Sequence, residues 1–174
     1  MCSSDLRANE LTRKLDEIVW VVNPKNDSVA KVAPYLCQFA REFLEPTAIM
    51  CRFEVQEDLP SIPLSAEVRH NIYLVLKEAL NNCVRHSSAT QIQLNLACVD
   101  QGLLMEINDN GCGFAISSVD TSGNGLRNMR QRAEAMGATF SLRSAPAEGT
   151  TLRVLWSLPY EQVPRREQAS PPIG

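Results

Sequence analysis

Long hydrophobic runs, an excess of positive charge and a secretion signal are all missing from this 174-residue sequence. No run of about 18 apolar residues is present to span a membrane, and the start of the chain lacks the basic-then-apolar pattern of a signal peptide. We therefore expect the chain as given to be cytoplasmic, with membrane anchoring of a longer protein left open. The formal net charge of -3 provides no basic field for nucleic acid, so we expect no nucleic-acid partner.

Histidine is scarce and closely spaced cysteine pairs are missing, which argues against a zinc site. The sequence has two histidines and six cysteines, and no two cysteines have the spacing of a chelating CxxC pair. Cys37, Cys83 and Cys98 occupy positions where an apolar side chain would serve. We therefore expect reduced cysteines that pack as small hydrophobic residues.

The hydrophobic pattern predicts one α+β domain. Helical periodicity predicts helices over 5–22, 29 to 43 or 44, 65–89 and 126–136. Alternation predicts strands over 50–55, 91–99, 103–108, 139–144 and 150–158. This order predicts a two-layer sandwich in which helices cover one face of a mixed, mostly antiparallel sheet. It does not suit a dinucleotide-binding fold, because the glycine-rich loops lie outside any βαβ unit.

Local signals place the ends of these elements. Ser28 and Ser65 are predicted to be N-caps of the second and third helices. Pro34 falls within the first turns of the second helix and is expected to kink it. Gly137 is predicted to end the last helix in the left-handed conformation. Residues 159–174, rich in proline, arginine, glutamine and serine, are predicted to be a disordered tail.

The predicted helix over 65–89 has two distinct faces. One is an apolar arc, and beside it Asn71, Glu78, Asn82 and Arg85 fall along a single edge. Such an edge on an amphipathic helix is most often simply solvated. Two glycine-rich loops follow, over 108–114 and 122–126, and the second opens directly into a helix. On its own, that glycine pair would be interpreted as a flexible linker.

Four segments in order carry a family resemblance: 78–86, 109–114, 123–129 and 148–151. They resemble the asparagine box and the successive glycine boxes of the gyrase, Hsp90, histidine kinase and MutL ATPase superfamily. The chain most resembles the ATP-binding domain of the bacterial sensor histidine kinases that partner LuxR-type response regulators. The resemblance covers about residues 10 to 158 and implies a Bergerat-type ATP-binding fold with ATP and Mg²⁺ as cofactors.

The resemblance implies adenine-binding and phosphate-binding positions. Asp109 would accept a hydrogen bond from the exocyclic amine of adenine, although a turn-capping aspartate is an equal alternative. Glycines would let the backbone approach the ring or open a helix whose amides face phosphates, and Thr150 resembles the residue that helps to hold adenine. The glycine-box residues assigned to nucleotide binding are Gly111, Gly113, Gly123, Gly125 and Leu126.

The resemblance also implies a metal ligand and a catalytic residue. Asn82 resembles the magnesium ligand, and a carboxamide together with phosphate oxygens would satisfy this ion. Glu78 stands where the superfamily's hydrolases carry a water-activating base, so we take it as the catalytic candidate. Arg85 and His86 are assigned to phosphate contact, with the alternative that His86 only ends the helix.

These kinases phosphorylate a histidine on an upstream dimerisation hairpin, and neither His70 nor His86 fits that motif. Residues 1–24 resemble the end of that hairpin and its hinge, and 25–158 the catalytic domain. The predicted function is transfer of the γ-phosphoryl group of Mg-ATP to a histidine absent from this chain, and onward to a response regulator aspartate. The expected partners are the receiver domain, the hairpin and a second kinase copy.

Three alternatives remain on the same fold. The first is an anti-sigma-type serine kinase or a nucleotide-dependent partner-switching module. The second is a hydrolysing clamp of the gyrase or MutL kind, which usually receives a lysine from a following domain. The third is a structural protein with degenerate boxes.

Overall fold

The computed structural model describes residues 23, 27–99, 102–116 and 124–157. The described helices are α1 (Val29–Leu44), α2 (Ala66–Asn82) and α3 (Asn124–Ala135). The described strands are β1 (Met50–Val55), β2 (Gln91–Val99), β3 (Gly102–Asp109), β4 (Ala138–Ser144) and β5 (Thr150–Ser157). The helix predicted over 5–22, the tail predicted over 159–174 and the predicted last strand residue, Leu158, lie outside the described residues.

The five strands form one mixed sheet in the order β1-β2-β3-β5-β4. Strand β1 runs parallel to β2, and α2 makes the connection between them. The other three pairings are antiparallel. This confirms the predicted α+β fold with a mostly antiparallel sheet, and it brings the ends of β3 and β5 next to each other, where Asp109 pairs with Thr150.

One hydrophobic core lies between the three helices and one face of the sheet. Along β2, Ile92, Leu94 and Leu96 are buried, whereas Gln93 and Asn95 between them face the other side. The same alternation in β3 and β5 adds inward-facing residues to this core. Each fully buried side chain of this size stabilises the fold by about 1.5–3 kcal/mol relative to an exposed one. Alternating strands and amphipathic helices therefore account for the two layers.

The start of α1 differs from the sequence prediction. Ser28 occupies the N-cap position, but its side chain makes no capping hydrogen bond. Instead Ser28 is buried in a short β-bridge with Pro63, and its carbonyl oxygen accepts from the Val32 amide at 3.0 Å. The Val29 amide donates to Ile62 at 3.0 Å, so the connecting segment serves as the cap. Helix α1 is continuous through Pro34.

Helix α2 begins as predicted and ends earlier than predicted. The Ser65 hydroxyl accepts from the Val68 amide at 3.2 Å, which confirms the N-cap. The α-helix ends at Asn82 instead of continuing to 89, and Cys83–Ser87 form a π-helical turn. The Ser87 hydroxyl closes this turn by donating to the Cys83 carbonyl at 2.7 Å and accepting from the Ala89 amide at 3.0 Å.

Most of the described cysteines pack as small core residues, whereas Cys112 is exposed. Cys37, Cys51, Cys83, Cys98 and Cys112 are free thiols. Cys83 is buried, and Cys37 and Cys98 pack partly buried against the core, as the sequence predicted. Among the described helices, none has the length and apolar character needed to cross a bilayer.

Candidate functional site

A cavity of about 500 Å³ opens between the end of α2, the start of α3 and the adjacent ends of β3, β4 and β5. Most of the predicted site residues line it, although they come from four separate segments of the chain. Nine of them are lining residues: Glu78, Asn82, Arg85, His86, Asp109, Gly113, Gly125, Leu126 and Thr150. Gly111 lies behind the wall of the cavity, and Gly123 is outside the described residues.

The buried end of the cavity is built around Asp109 at the end of β3, with Cys83, Gly111 and Thr150 beside it. Asp109 is only 5% exposed. Its Oδ1 accepts from the Gly111 amide at 2.9 Å, and its Oδ2 lies 3.5 Å from Sγ of Cys83. The bond to Gly111 is an Asx-turn, so the turn-capping interpretation of Asp109 is correct. The same carboxylate also faces the cavity, so the two interpretations do not exclude each other.

Glycines at the buried end leave room for protein backbone. A side chain at Gly111 would collide with Ser87, and one at Gly113 would collide with the Ala145 carbonyl. Gly149, at φ +73°, lies directly against the Asp109 carbonyl. These contacts require glycine at 111 and 113 because a side chain at either position would meet the protein, and the predicted approach of the backbone to a ring stays a prediction.

Backbone hydrogen bonds join three distant segments at this point, and we call them the backbone junction. The Cys112 amide donates to the Ser87 carbonyl at 2.6 Å, and the Ala147 amide donates to the Cys112 carbonyl at 2.7 Å. The end of α2, the loop after β3 and the β4–β5 turn are thereby tied together. The junction fixes the loop that carries Gly113 across the buried end.

Thr150 reaches the cavity from the start of β5. Its hydroxyl lies 3.1 Å from the Ser144 hydroxyl. Ser144 also donates to the Gly149 carbonyl at 2.9 Å and accepts from the Phe114 amide at 3.0 Å. A hydroxyl pair therefore adds a polar group next to Asp109, and it is held by the backbone on both sides.

The open end of the cavity consists of Glu78, Asn82 and Gly125. Glu78 and Asn82 lie one turn apart on α2, so both side chains project from the same edge of the helix. A side chain at Gly125 would collide with the Glu78 carboxylate and would contact the Asn82 amide. Because α3 begins at Asn124, amides without a partner in that helix lie beside these two side chains.

The polar edge predicted for the helix over 65–89 is divided between α2 and the π-helical turn. Arg85 and His86 lie on the π-helical turn, exposed at the rim of the cavity. Asn71 is absent from the lining and is buried, where its Oδ1 accepts from Arg132 of α3 at 3.3 Å. Of this polar edge, only the residues from Glu78 onward contribute side chains to the cavity.

Sequence reasoning missed the apolar walls. Five hydrophobic side chains from the sheet, the loop and α3 line the cavity: Ile107, Phe114, Met129, Leu142 and Leu152. Strand alternation could identify Ile107 and Leu152 as inward-facing, but not that a gap lies between them and α3. The resulting site has a hydrophobic slot with a carboxylate at its buried end, and polar groups with helix amides at its open end. Such a site suits a flat polar ring attached to an anionic group.

Comparison with known proteins agrees with this geometry. The family model for histidine kinase-, DNA gyrase B- and HSP90-like ATPases matches residues 67–162. The chain belongs to this family, and its fold is that of the histidine kinase ATP-binding domains. The comparisons give no support to the serine kinase or partner-switching alternative.

Among relatives of known sequence, the chain is 34% identical over 101 residues to the sensor protein VraS of Staphylococcus saprophyticus. The match covers 58% of this chain and 29% of that relative, so the chain spans under a third of the relative's length.

Solved structures share the fold. The blue-light activated histidine kinase of Erythrobacter litoralis superposes with a TM-score of 0.67 at 19% identity, over 90% of this chain and 50% of that one. The ATP-binding domain of PrrB from Mycobacterium tuberculosis gives 0.60 at 23% identity, over 76% of this chain and 95% of that one.

Proposed function

We propose that this domain binds Mg-ATP and is the catalytic part of a sensor histidine kinase. The γ-phosphoryl group would pass to a histidine on a dimerisation hairpin, and then to an aspartate of a response regulator receiver domain. The observation that carries the proposal is the buried carboxylate of Asp109 at one end of an apolar slot, with Glu78, Asn82 and the start of α3 at the other.

The buried end would hold adenine. Asp109 retains acceptor capacity beyond its bonds to Gly111 and Cys83, since a carboxylate can accept about four hydrogen bonds. Its acceptor would pair with the exocyclic amine of adenine and oppose the carbonyl of guanine. The Thr150 hydroxyl would add a second polar contact, and the apolar walls would enclose the ring.

The open end would hold the triphosphate. Gly123, Gly125 and Leu126 bracket the start of α3, whose amides and dipole favour negative charge. Arg85 and His86 at the rim supply donors for phosphate oxygens. Both side chains are exposed, which suits contact with phosphate groups that remain partly solvated.

The described residues alone do not complete a site for a divalent cation, so phosphate oxygens would have to supply further ligands. Among the described residues, no three His, Cys, Asp or Glu side chains gather as a metal site. The Asn82 carboxamide offers one oxygen beside the Glu78 carboxylate, which suits Mg²⁺ that keeps waters and phosphate ligands. The bound ion would neutralise charge on the phosphates.

Partners and location follow from the proposed activity. A phosphoacceptor hairpin and a second kinase copy would supply the histidine, and a receiver domain of the kind paired with LuxR-type regulators would accept the phosphoryl group. Use of ATP and of such a receiver would put the domain in the cytoplasm. Residues 1–24 would then belong to the end of the hairpin and to its hinge.

Calorimetric titration with ATP and GTP analogues that resist hydrolysis, with and without Mg²⁺, tests the nucleotide site. The wild-type chain is expected to bind the ATP analogue selectively. Asp109→Asn should weaken that binding about ten- to a hundredfold, because a buried charge-assisted hydrogen bond is lost. Glu106→Gln is the matched control, since it removes the same charge from the opposite face of β3, where Glu106 pairs with Arg153. Equal affinity of Asp109→Asn and wild type would contradict the proposal.

Glu78 is proposed to orient or deprotonate the attacking group. Glu78→Gln is expected to lower the rate of labelled phosphoryl transfer from ATP to a hairpin that carries the acceptor histidine, added in trans, about a hundredfold, while the affinity for the ATP analogue changes less than twofold. Glu134→Gln, which removes an exposed carboxylate from α3, should leave both values unchanged. An unaltered transfer rate in Glu78→Gln would remove Glu78 from the mechanism.

A further inference from the structure

The thiol of Cys83 lies at the buried end of the cavity, directly beside Asp109. Cys83 is 6% exposed and Asp109 5% exposed, and both line the cavity. Sγ of Cys83 and Oδ2 of Asp109 are 3.5 Å apart, a distance that suits a hydrogen bond from sulfur. The two residues are 26 positions apart in sequence, so the fold itself brings them together.

This contact completes the support of the Asp109 carboxylate. The Gly111 amide holds Oδ1 at 2.9 Å, and the Cys83 thiol holds Oδ2. Rotation of the carboxylate would break both bonds, so the pair fixes the plane of the group. A fixed plane directs the remaining lone pairs in one direction, which is how preorganised acceptors discriminate between ligands.

The thiol acts as a donor at ordinary pH. Cysteine thiols ordinarily carry their proton at neutral pH. The thiol therefore stays protonated, and an S–H group next to a carboxylate can only donate. A valine at this position would fill similar space but leave Oδ2 without this partner.

We propose that Cys83 is a positioning residue that sets the base selectivity of the nucleotide site, by holding Oδ2 of Asp109 while Gly111 holds Oδ1. The inference rests on the proposed function, because it assumes that Asp109 faces the purine. It assigns selectivity to a side chain that is not itself required to touch the nucleotide.

The test compares ATP with inosine triphosphate, which carries a carbonyl oxygen in place of the exocyclic amine. Calorimetry on the whole chain gives the ratio of the two dissociation constants for wild type, Cys83→Val and Cys83→Ser. Cys83→Val should reduce the preference for ATP about three- to tenfold, as expected for loss of one hydrogen bond to a charged group by a weak donor. Cys83→Ser, which restores a donor, should retain most of the preference.

A purely structural role would change the two affinities together. Cys98→Val is the matched control, because Cys98 is a partly buried thiol of β2 that does not line the cavity. An unchanged ratio in Cys83→Val, or an equal loss for both nucleotides in Cys83→Val and Cys83→Ser, would overturn the inference and leave the proposed function standing. Failure of the wild-type chain to bind ATP would overturn both.

The hydrogen bond can also be observed without nucleotide. The Raman S–H stretching band of Cys83 is identified by its disappearance in Cys83→Val, and that of Cys98 by its disappearance in Cys98→Val. Donation to a carboxylate should place the Cys83 band at the lower frequency. A Cys83 band at or above that of Cys98 would contradict the contact and with it the inference.

Discussion

The two ends of the cavity are built in different ways. At the buried end, Asp109 is held by Gly111 and Cys83, and the surrounding loop is tied by the backbone junction. At the open end, Glu78 and Asn82 project from a helix edge that is only partly buried, and Arg85 is exposed. One end is therefore fixed before a ligand arrives, whereas the other presents polar groups to solvent.

Under the proposed function, this difference would separate recognition of the base from chemistry at the phosphates. A buried carboxylate with fixed hydrogen bonds discriminates well, because a mismatched ligand would leave a buried polar group unpaired. Groups that hold phosphates work by charge and dipole, which tolerate solvent and small displacements. Substitutions at the buried end should therefore affect folding and base selectivity, and those at the open end should affect phosphate contacts.

The largest expected effect is on the fold at the buried end. Gly149→Ala should lower the free energy of unfolding by about 3 kcal/mol, because it combines a left-handed backbone with a collision against the Asp109 carbonyl. Gly137→Ala is the matched control. Gly137 has a similar φ of +70° and nothing within 4 Å, so it should cost only about 1 kcal/mol. Urea denaturation measures both, and equal losses would show that the buried end is not tightly packed.

The next largest expected effect is on ligand binding, and it distinguishes the open end of the cavity from the buried end by comparing ATP with adenosine. Gly125→Ala should weaken ATP binding about tenfold, because the new side chain would collide with the Glu78 carboxylate and crowd the space beside the start of α3, where the triphosphate is proposed to lie. Adenosine, which has no phosphates, should bind equally to the variant and to wild type in a competition titration. An equal loss of affinity for ATP and for adenosine would contradict this comparison, since it would mean that the two ends of the cavity are not independent.

The smallest expected effect is a change in alkaline stability. Burial raises the pKa of Cys51 from 9.0 to about 11 and also raises the pKa of Cys83. Above pH 9 the unfolded chain loses thiol protons that the native state keeps, so the free energy of unfolding should fall as pH rises towards 11. Cys83→Val removes one of these thiols and should flatten that fall in melting curves recorded between pH 9 and 11. An identical slope would argue against a protonated thiol beside Asp109.

Strands and helix starts could be predicted because they depend on local patterns. The alternation over 91–99 defined β2 to the residue, and Ser65 was correctly identified as a cap. Nine of the residues assigned from the family resemblance also line one cavity, while their individual roles stay predictions. Local pattern and motif order are therefore sufficient where a residue's role depends on its neighbours in sequence.

Contacts between distant segments could not be predicted. Ser28 failed as a side-chain cap because the segment around Ile62 and Pro63 takes over the helix start. The end of α2 at Asn82 was missed because helical periodicity continues past it, while Ser87 closes a wider turn. The pairing of Cys83 with Asp109 likewise depends on where β3 ends beside α2.

The backbone junction has a consequence for biosynthesis. It needs Ser87, Cys112 and Ala147 together, so it cannot form until the β4–β5 turn has left the ribosome. A nascent chain that already contains every residue from Glu78 to Leu126 would still lack the closed pocket. The closed form of the pocket should therefore appear only late in translation, after the β4–β5 turn is available.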